Sequence, residues 1–356
     1  MQMDEIDRKE PTSLIIRSSR FPLSIQIDRR VPWVWLGLVI LILAVVILSV
    51  GYGDYPISAI DVTKALLRLN INNPDYDFVI YTLRLPRVIT ACLVGISLAI
   101  AGTILQGLTR NPLAAPEIVG VQAGAGLAAV SLIVLFPTVP LFFLPLAAFA
   151  GAFIVALLVY LLAWDRGSSP IRLILVGVGM GAIASAFTSL MITFGNIYDV
   201  NQALIWLAGS VYGRSWEHIR ALLPWLIVFI PVSLLLAREL NTLSLGDEVA
   251  RGLGSAVEWQ RGLLLLTSVA LAGASVSTAG TIGFVGLMAP HLARQLVGTS
   301  HQGLIPTAAL VGGLTVSLAD FLGRSLFAPI ELPCGLITAA VGAPYLLYLL
   351  YRNRNA

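Results

Sequence analysis

The sequence predicts an all-α fold, a polytopic membrane protein with about ten transmembrane helices. Composition is the first reason. Of 356 residues, 57% are hydrophobic and 12% are charged, with a mean hydropathy of +0.88. A soluble domain carries about 25% charged residues, so this chain has too little polar surface to cover a water-exposed globule. The second reason is the recurrence of uncharged runs of about 20 residues, the length that crosses a bilayer. The third is the uneven distribution of Lys and Arg between alternate loops.

Residues 1–30 are polar and include Arg8, Lys9, Arg17, Arg20, Arg29 and Arg30. They form an N-terminal extension, expected on the cytoplasmic side. Residues 31–53 follow as the first span. The run is too long for a signal-peptide core and lacks a small-residue cleavage site. Residues 88–109 make the second span. Residues 118–164 are too long for one helix and break near Pro137, Pro140 and Pro145, giving the third and fourth. Residues 173–198 and 221–237 are the fifth and sixth. The run 262–293 is again too long, and Gly280 divides it into a seventh helix and a short eighth. Residues 295–319 and 332–351 complete the ten. The transmembrane domain is thus 31–352, and 353–356 form a tail.

Ten spans place both termini on one side of the membrane. With that side cytoplasmic, seven of the 22 Lys and Arg residues lie outside: Lys64, Arg68, Arg84, Arg87, Arg214, Arg220 and Arg324. The remainder lie inside, in the sense of the positive-inside rule. The net charge of +3 is small and dispersed, which leaves no nucleic-acid footprint.

Several chemistries are missing. His218, His291 and His301 lie in different segments without ligand spacing, so no metal site is expected. Cys92 and Cys334 form no disulfide or zinc framework. Neither Lys9 nor Lys64 follows a glycine, so there is no Walker A motif. An intramembrane enzyme would need a nucleophile–base pair, and Ala208-Gly209-Ser210 has no histidine at a suitable depth. Ionisable residues inside spans mark ion relays, and here the spans are almost clean, with Asp320 and Glu331 near helix ends. That disfavours a proton- or sodium-coupled carrier and places the energy source in another chain.

Three segments carry functional signals. Arg84-Leu85-Pro86-Arg87 makes a stiff, doubly positive patch at the outer entrance of the second span, and Arg324 can join it. Arginine pairs bidentately with carboxylates, which suits docking; lipid-phosphate anchoring is the alternative use. The inner loop 238–261 contains a short amphipathic helix. Gly246, Asp247 and Glu248 resemble its start, because acidic groups suit a helix N-terminus, and Gly254 resembles its stop. Leu245, Val249 and Leu253 share one face, as in helix-in-groove recognition; a plain surface helix is the alternative. The third segment, 280–294, crowds Gly280, Gly283 and Gly286 before Pro290-His291. Broken backbone at membrane depth is tolerated only where protein or a cavity covers it. Gly177, Gly181 and Ser185 recur every four residues on one helix face, as do Gly120 with Gly124 and Gly95 with Ala99, a spacing that permits close helix contact.

Taken together, these segments resemble the iron-siderophore and vitamin B12 permease family, the FecCD type of ABC importer subunit. The resemblance runs from about residue 31 to 352. It rests on Arg84–Arg87, Gln106-Gly107-Leu108-Thr109-Arg110-Asn111-Pro112-Leu113-Ala114-Ala115-Pro116 and Gly120-Val121-Gln122-Ala123-Gly124-Ala125-Gly126. Further on it rests on Trp206-Leu207-Ala208-Gly209-Ser210, Leu245-Gly246-Asp247-Glu248, residues 280–294, Glu331-Leu332-Pro333-Cys334-Gly335 and Gly342-Ala343-Pro344. Cys334 departs from the family's usual residue. The resemblance implies a ten-helix, non-catalytic permease subunit in the inner membrane with both termini cytoplasmic. It implies pairing with a second permease copy, identical or homologous, and with two cytosolic ATPase subunits that bind the ATP and Mg, so this chain carries no cofactor. It also implies an extracytoplasmic solute-binding protein that docks on Arg84, Arg87 and Arg324. ATPase coupling falls to Leu243, Leu245, Gly246, Asp247, Glu248, Ala250, Leu253 and Gly254. Gating or packing falls to Gly177, Gly181, Gly280, Gly283, Gly286 and Pro290. A ferric siderophore is the expected cargo, with cobalamin and haem as alternatives.

Overall fold

The rod at the centre of the bundle is the second span. In the computed structural model, which describes residues 13–17, 24–53, 55–69, 73–164 and 169–352, it begins well before residue 88. Helix α1 (Val31–Gly51) is followed by a short capped α2 (Ala59–Leu66). Then α3 (Pro74–Phe78), a π-helical turn (Val79–Arg84) and α4 (Leu85–Thr109) run end to end. The apolar rod they form spans Asp75–Thr109. Arg84 and Arg87 therefore sit within a helix, not in an entrance loop. Pro86 removes a backbone donor near the start of α4, and the wide turn before it accommodates the gap.

The remaining helices are α5 (Val121–Leu135), α6 (Leu144–Ala163), α7 (Pro170–Phe194), α8 (Ile197–Leu207) and α9 (Trp216–Leu235). They are followed by α10 (Ala237–Ser244), α11 (Asp247–Gly252), α12 (Val257–Ala279), α13 (Val285–Val297), α14 (His301–Ser325) and α15 (Cys334–Arg352). Among the described residues, eight helices are long and apolar enough to cross a membrane. The other two expected spans are short: α5, with 15 residues, and α13, with 13. At 1.5 Å per residue α13 is about 20 Å long, less than the hydrocarbon core. The ninth span starts at His301 instead of 295, because α13 continues to Val297 and turns at Gly298, whose φ is +81°.

One element departs from the all-α expectation. Within the N-terminal extension, β1 (Ser13–Arg17) pairs antiparallel with β2 (Ser24–Asp28), Ser13 opposite Asp28. Both strands are rich in isoleucine, which favours extended backbone. The rest of the 1–30 extension before residue 24, and the 353–356 tail, lie outside the described residues.

Lipid gives no hydrophobic drive for helix association, so backbone proximity and van der Waals contact hold the bundle. α4 packs against α14, α12 and α13. Gly95 and Ala99 meet Gly312 of α14, and Gly102 lies directly against the backbone of Gly286 in α13. Any side chain at Gly102 would collide with that backbone. The consequence shows in burial: 78% of the apolar windows of α4 and of α12 is covered, against 17% for α7 and 22% for α1. α4 and α12 are the core; α7 and α1 present faces that lipid or another chain must cover.

Candidate functional site

Three clusters lie along the bundle, one at each end and one between. The C-terminal end of α4 carries the α10–α11 hairpin. Gly246, at φ +113°, turns the chain into α11, and Gly254, at φ +85°, ends the turn after it. Asp247 anchors the helix: it accepts from Arg261 of α12 at 2.7 Å and lies 3.6 Å from Arg110 at the end of α4. The Arg261 side chain is only 2% exposed, a charge reached by burying a long stem in the bundle. Leu243 and Ala250 point into the protein. Leu245, Val249 and Leu253 point out, at 63%, 50% and 66% exposure, with Glu248 exposed beside them. The predicted helix start, stop and apolar face are all where the sequence placed them.

At the opposite end of α4 the three arginines converge, but their donors turn inward. Arg84 donates to the carbonyls of Val50 and Tyr55 at 2.7 and 2.8 Å. Arg87 straddles Asp320 of α14, with bonds of 3.0 and 2.8 Å to its Oδ1, and reaches Glu331 at 2.9 Å. Arg324 is buried against the carbonyl and hydroxyl of Ser49 and donates to the Tyr52 carbonyl at 3.2 Å. Asp320, at 3% exposure, is fully inside the protein, whereas Glu331 is 38% exposed. The cluster locks α4 to α14 and to the end of α1.

Between the ends lies a cavity of about 580 Å³ beside α5 and α7. Two breaks in helical backbone build it. Residues 110–120 fold back beside α4 instead of leaving the membrane: Pro116 packs on Gly286, and Gly286 lies against the Leu98 carbonyl midway along α4. The second break, 280–284, separates α12 from α13, with Gly280 at φ +73° and Phe284 at φ +67°. Gln122 joins the two, donating to Glu117 Oε1 at 3.1 Å and to the Ile282 carbonyl at 3.0 Å. The Glu117 Oε2 atom is buried without a partner among the described residues. Gly177, Gly181 and Ser185 of α7 line the facing wall. Gly177 does make a close contact, with the Ile118 carbonyl, but a Cβ added at Gly181 would meet only Ala123, at 4.0 Å. The small-residue face thus creates room as well as contact. Gly283 lies 3.9 Å from Glu117 when extended by a Cβ, while Gly286 and Pro290 are buried in α13.

Sequence reasoning missed Glu117, Arg261 and Gln106. Glu117 fell between two expected spans and read as a loop residue; its neighbours Pro116 and Gly120 were the available signal for re-entrant backbone. Gln106 is buried, donates to the Leu287 carbonyl at 3.2 Å and accepts from Arg294 at 2.9 Å.

A bundle of membrane-length helices, broken at mid-depth around a cavity with several polar side chains in its wall and carrying an anchored helix with an outward apolar face, defines a multi-pass membrane transport subunit. Residues 40–352 match the FecCD transport family, and the chain belongs to that family. It is 46% identical over 319 residues to the Fe(3+)-citrate import system permease protein YfmE of Bacillus subtilis, covering 88% of this chain and 94% of that one. It is 44% identical over 344 residues to the achromobactin transport system permease protein CbrC of Dickeya dadantii, covering 96% and 97%. A solved ABC transporter in an inward-facing conformation superposes with a TM-score of 0.82 at 33% identity, over 90% of this chain and 99% of that chain.

Proposed function

We propose that this protein is the permease subunit of an ATP-binding-cassette importer in the cytoplasmic membrane, and that its cargo is a ferric siderophore. The observation that carries this reading is α11. A six-residue helix is too short to be stable alone, yet Asp247 fixes it to α4 and α12 while Leu245, Val249 and Leu253 face outward. An apolar stripe held in place for a groove, on a chain without a nucleotide-binding motif, fits a transmission contact with a separate ATPase. The names of the relatives, an iron-citrate and an achromobactin permease, support the ferric cargo.

In this reading two ATPase subunits seat on the α11 ends of two permease copies, and the sparsely covered face of α7 contributes to the boundary between those copies. Both termini are cytoplasmic. An extracytoplasmic binding protein docks on the opposite end, around Arg84, Arg87 and Arg324. Because these donors already have partners in the chain, docking exchanges a partner: a carboxylate on the binding protein replaces the half-exposed Glu331 on Arg87, while Asp320 stays. ATP-driven movement of α11 is passed to α4 and α12 through Asp247 and opens the cavity to alternate sides.

The deciding experiment is uptake in a strain lacking the gene. Labelled iron is presented as several ferric siderophores, alongside labelled cobalamin. Loss of ferric siderophore uptake with normal cobalamin uptake is expected. Loss of cobalamin uptake alone would move the cargo to the family's other branch.

A further inference from the structure

The cavity wall carries one ionisable group among its described lining residues, Glu117. The remaining polar lining is neutral: Gln122, Ser185, Thr188, Ser189 and Thr281. A carboxyl held at mid-depth of a membrane protein is costly and marks a site that uses it. This one is half satisfied. Its Oε1 accepts from Gln122, and the same Gln122 amide is spent on the Ile282 carbonyl, so the side chain is oriented and not loosely packed. Its Oε2 is buried and makes no hydrogen bond among the described residues. An acceptor oxygen that makes no hydrogen bond, on an oriented side chain that lines a space of about 580 Å³, is placed to receive one.

We propose that this cavity is a subsite of the solute pathway for cationic or hydrogen-bond-donating groups of the passing chelate, with Glu117 as the acceptor. The proposal deepens the importer reading above and rests on it for the identity of the solute. Its chemistry is selective. A ferric chelate with an ammonium or amide N–H at its rim supplies the missing donor to Oε2, and the hydroxyls of Ser185, Thr188 and Ser189 line the rest of its path. A polyanionic chelate meets an unscreened carboxylate in a low-dielectric wall. The binding protein chooses what arrives; Glu117 biases how fast each arrival passes.

Two measurements test this on the intact transporter in lipid nanodiscs and in cells. In the first, Ser185→Cys is the reporter, since Ser185 is exposed and lines the same cavity. Its modification by a cationic and by an anionic methanethiosulfonate is followed by peptide mass spectrometry. That readout separates its adduct from any on Cys92 or Cys334. A cleft of one charge sign concentrates counter-ions about 10-fold or more, so the cationic reagent should react at least about 10-fold faster. Glu117→Gln should abolish the preference, and Glu117→Asp should retain it. Equal rates with Glu117 present, or no modification of position 185 by either reagent, would overturn the proposal.

In the second, maximal uptake is compared for three ferric trihydroxamates that differ only at the chain end: free ammonium, N-acetyl and N-succinyl. Glu117→Gln should lower the ammonium-to-succinyl rate ratio about 10-fold, the inverse of that same concentration effect. An unchanged ratio, with all three rates falling together, would mean a structural role and would overturn the proposal. If the unaltered transporter carries none of the three, the ferric-chelate reading fails, and the thiol rates alone decide the charge of the cavity.

Discussion

Replacing Arg87 by alanine separates a docking arginine from a structural one. The guanidinium holds Asp320 by three contacts of 2.8–3.1 Å, and the two side chains are 11% and 3% exposed. Removing it leaves a carboxylate inside the bundle with Arg324 as its nearest remaining cation, at 3.8 Å. Breaking a buried pair from one side costs about 3–5 kcal/mol. The Glu331 contact adds less, because that carboxylate is partly exposed to solvent. Arg87→Ala should therefore lower the stability of the purified subunit by several kcal/mol, read as a lower thermal midpoint in nanodiscs. Arg87→Ala combined with Asp320→Ala should recover part of the loss, because no carboxylate is then stranded and Arg324 keeps its Ser49 and Tyr52 acceptors. A double-mutant cycle with a coupling below about 0.5 kcal/mol would refute the reasoning, since independent sites add to within that margin. The same geometry warns against Arg87→Glu as a docking test: it sets a third carboxylate beside Asp320 and Glu331, and uptake would fail through misfolding. Glu331→Gln is the cleaner probe of docking.

Three further outcomes follow from the same contacts. Asp247→Asn removes the charge that Arg261 and Arg110 share. It should cost about 1.5–3 kcal/mol, and in the reconstituted complex it should reduce uptake more than ATP hydrolysis; equal losses would argue against a transmission role. Leu245→Asp with Leu253→Asp should leave the thermal midpoint unchanged, because both side chains already face outward. It should abolish co-purification of the ATPase subunits, since each leucine would contribute about 1.5–3 kcal/mol on burial. Gly102→Ala should destabilise the bundle by about 1–3 kcal/mol through overpacking against the Gly286 backbone, whereas Gly179→Ala, which meets nothing within 4 Å, should be silent in the same melt.

The sequence alone determined the membrane class, the positions of the long apolar helices and the start, stop and exposed face of α11. Each depends on local physics: hydrocarbon solvation of an uncharged run, the φ that only glycine adopts easily, and the four-residue recurrence of a helix face. The Gly95–Ala99 pairing with Gly312 was half visible, because spacing shows that a face is small without naming what meets it. What only the tertiary structure decided is what long-range contact decides. Pro116 and Gly120 signal broken backbone, but they do not say that residues 110–120 return to the middle of α4, because Gly286 and the Gln122–Ile282 bond draw them there. The inward turn of Arg84, Arg87 and Arg324 was equally hidden, since Asp320 and Glu331 lie more than 200 residues beyond Arg87. A buried charge is legible only with its partner, and its partner is chosen by how the helices pack.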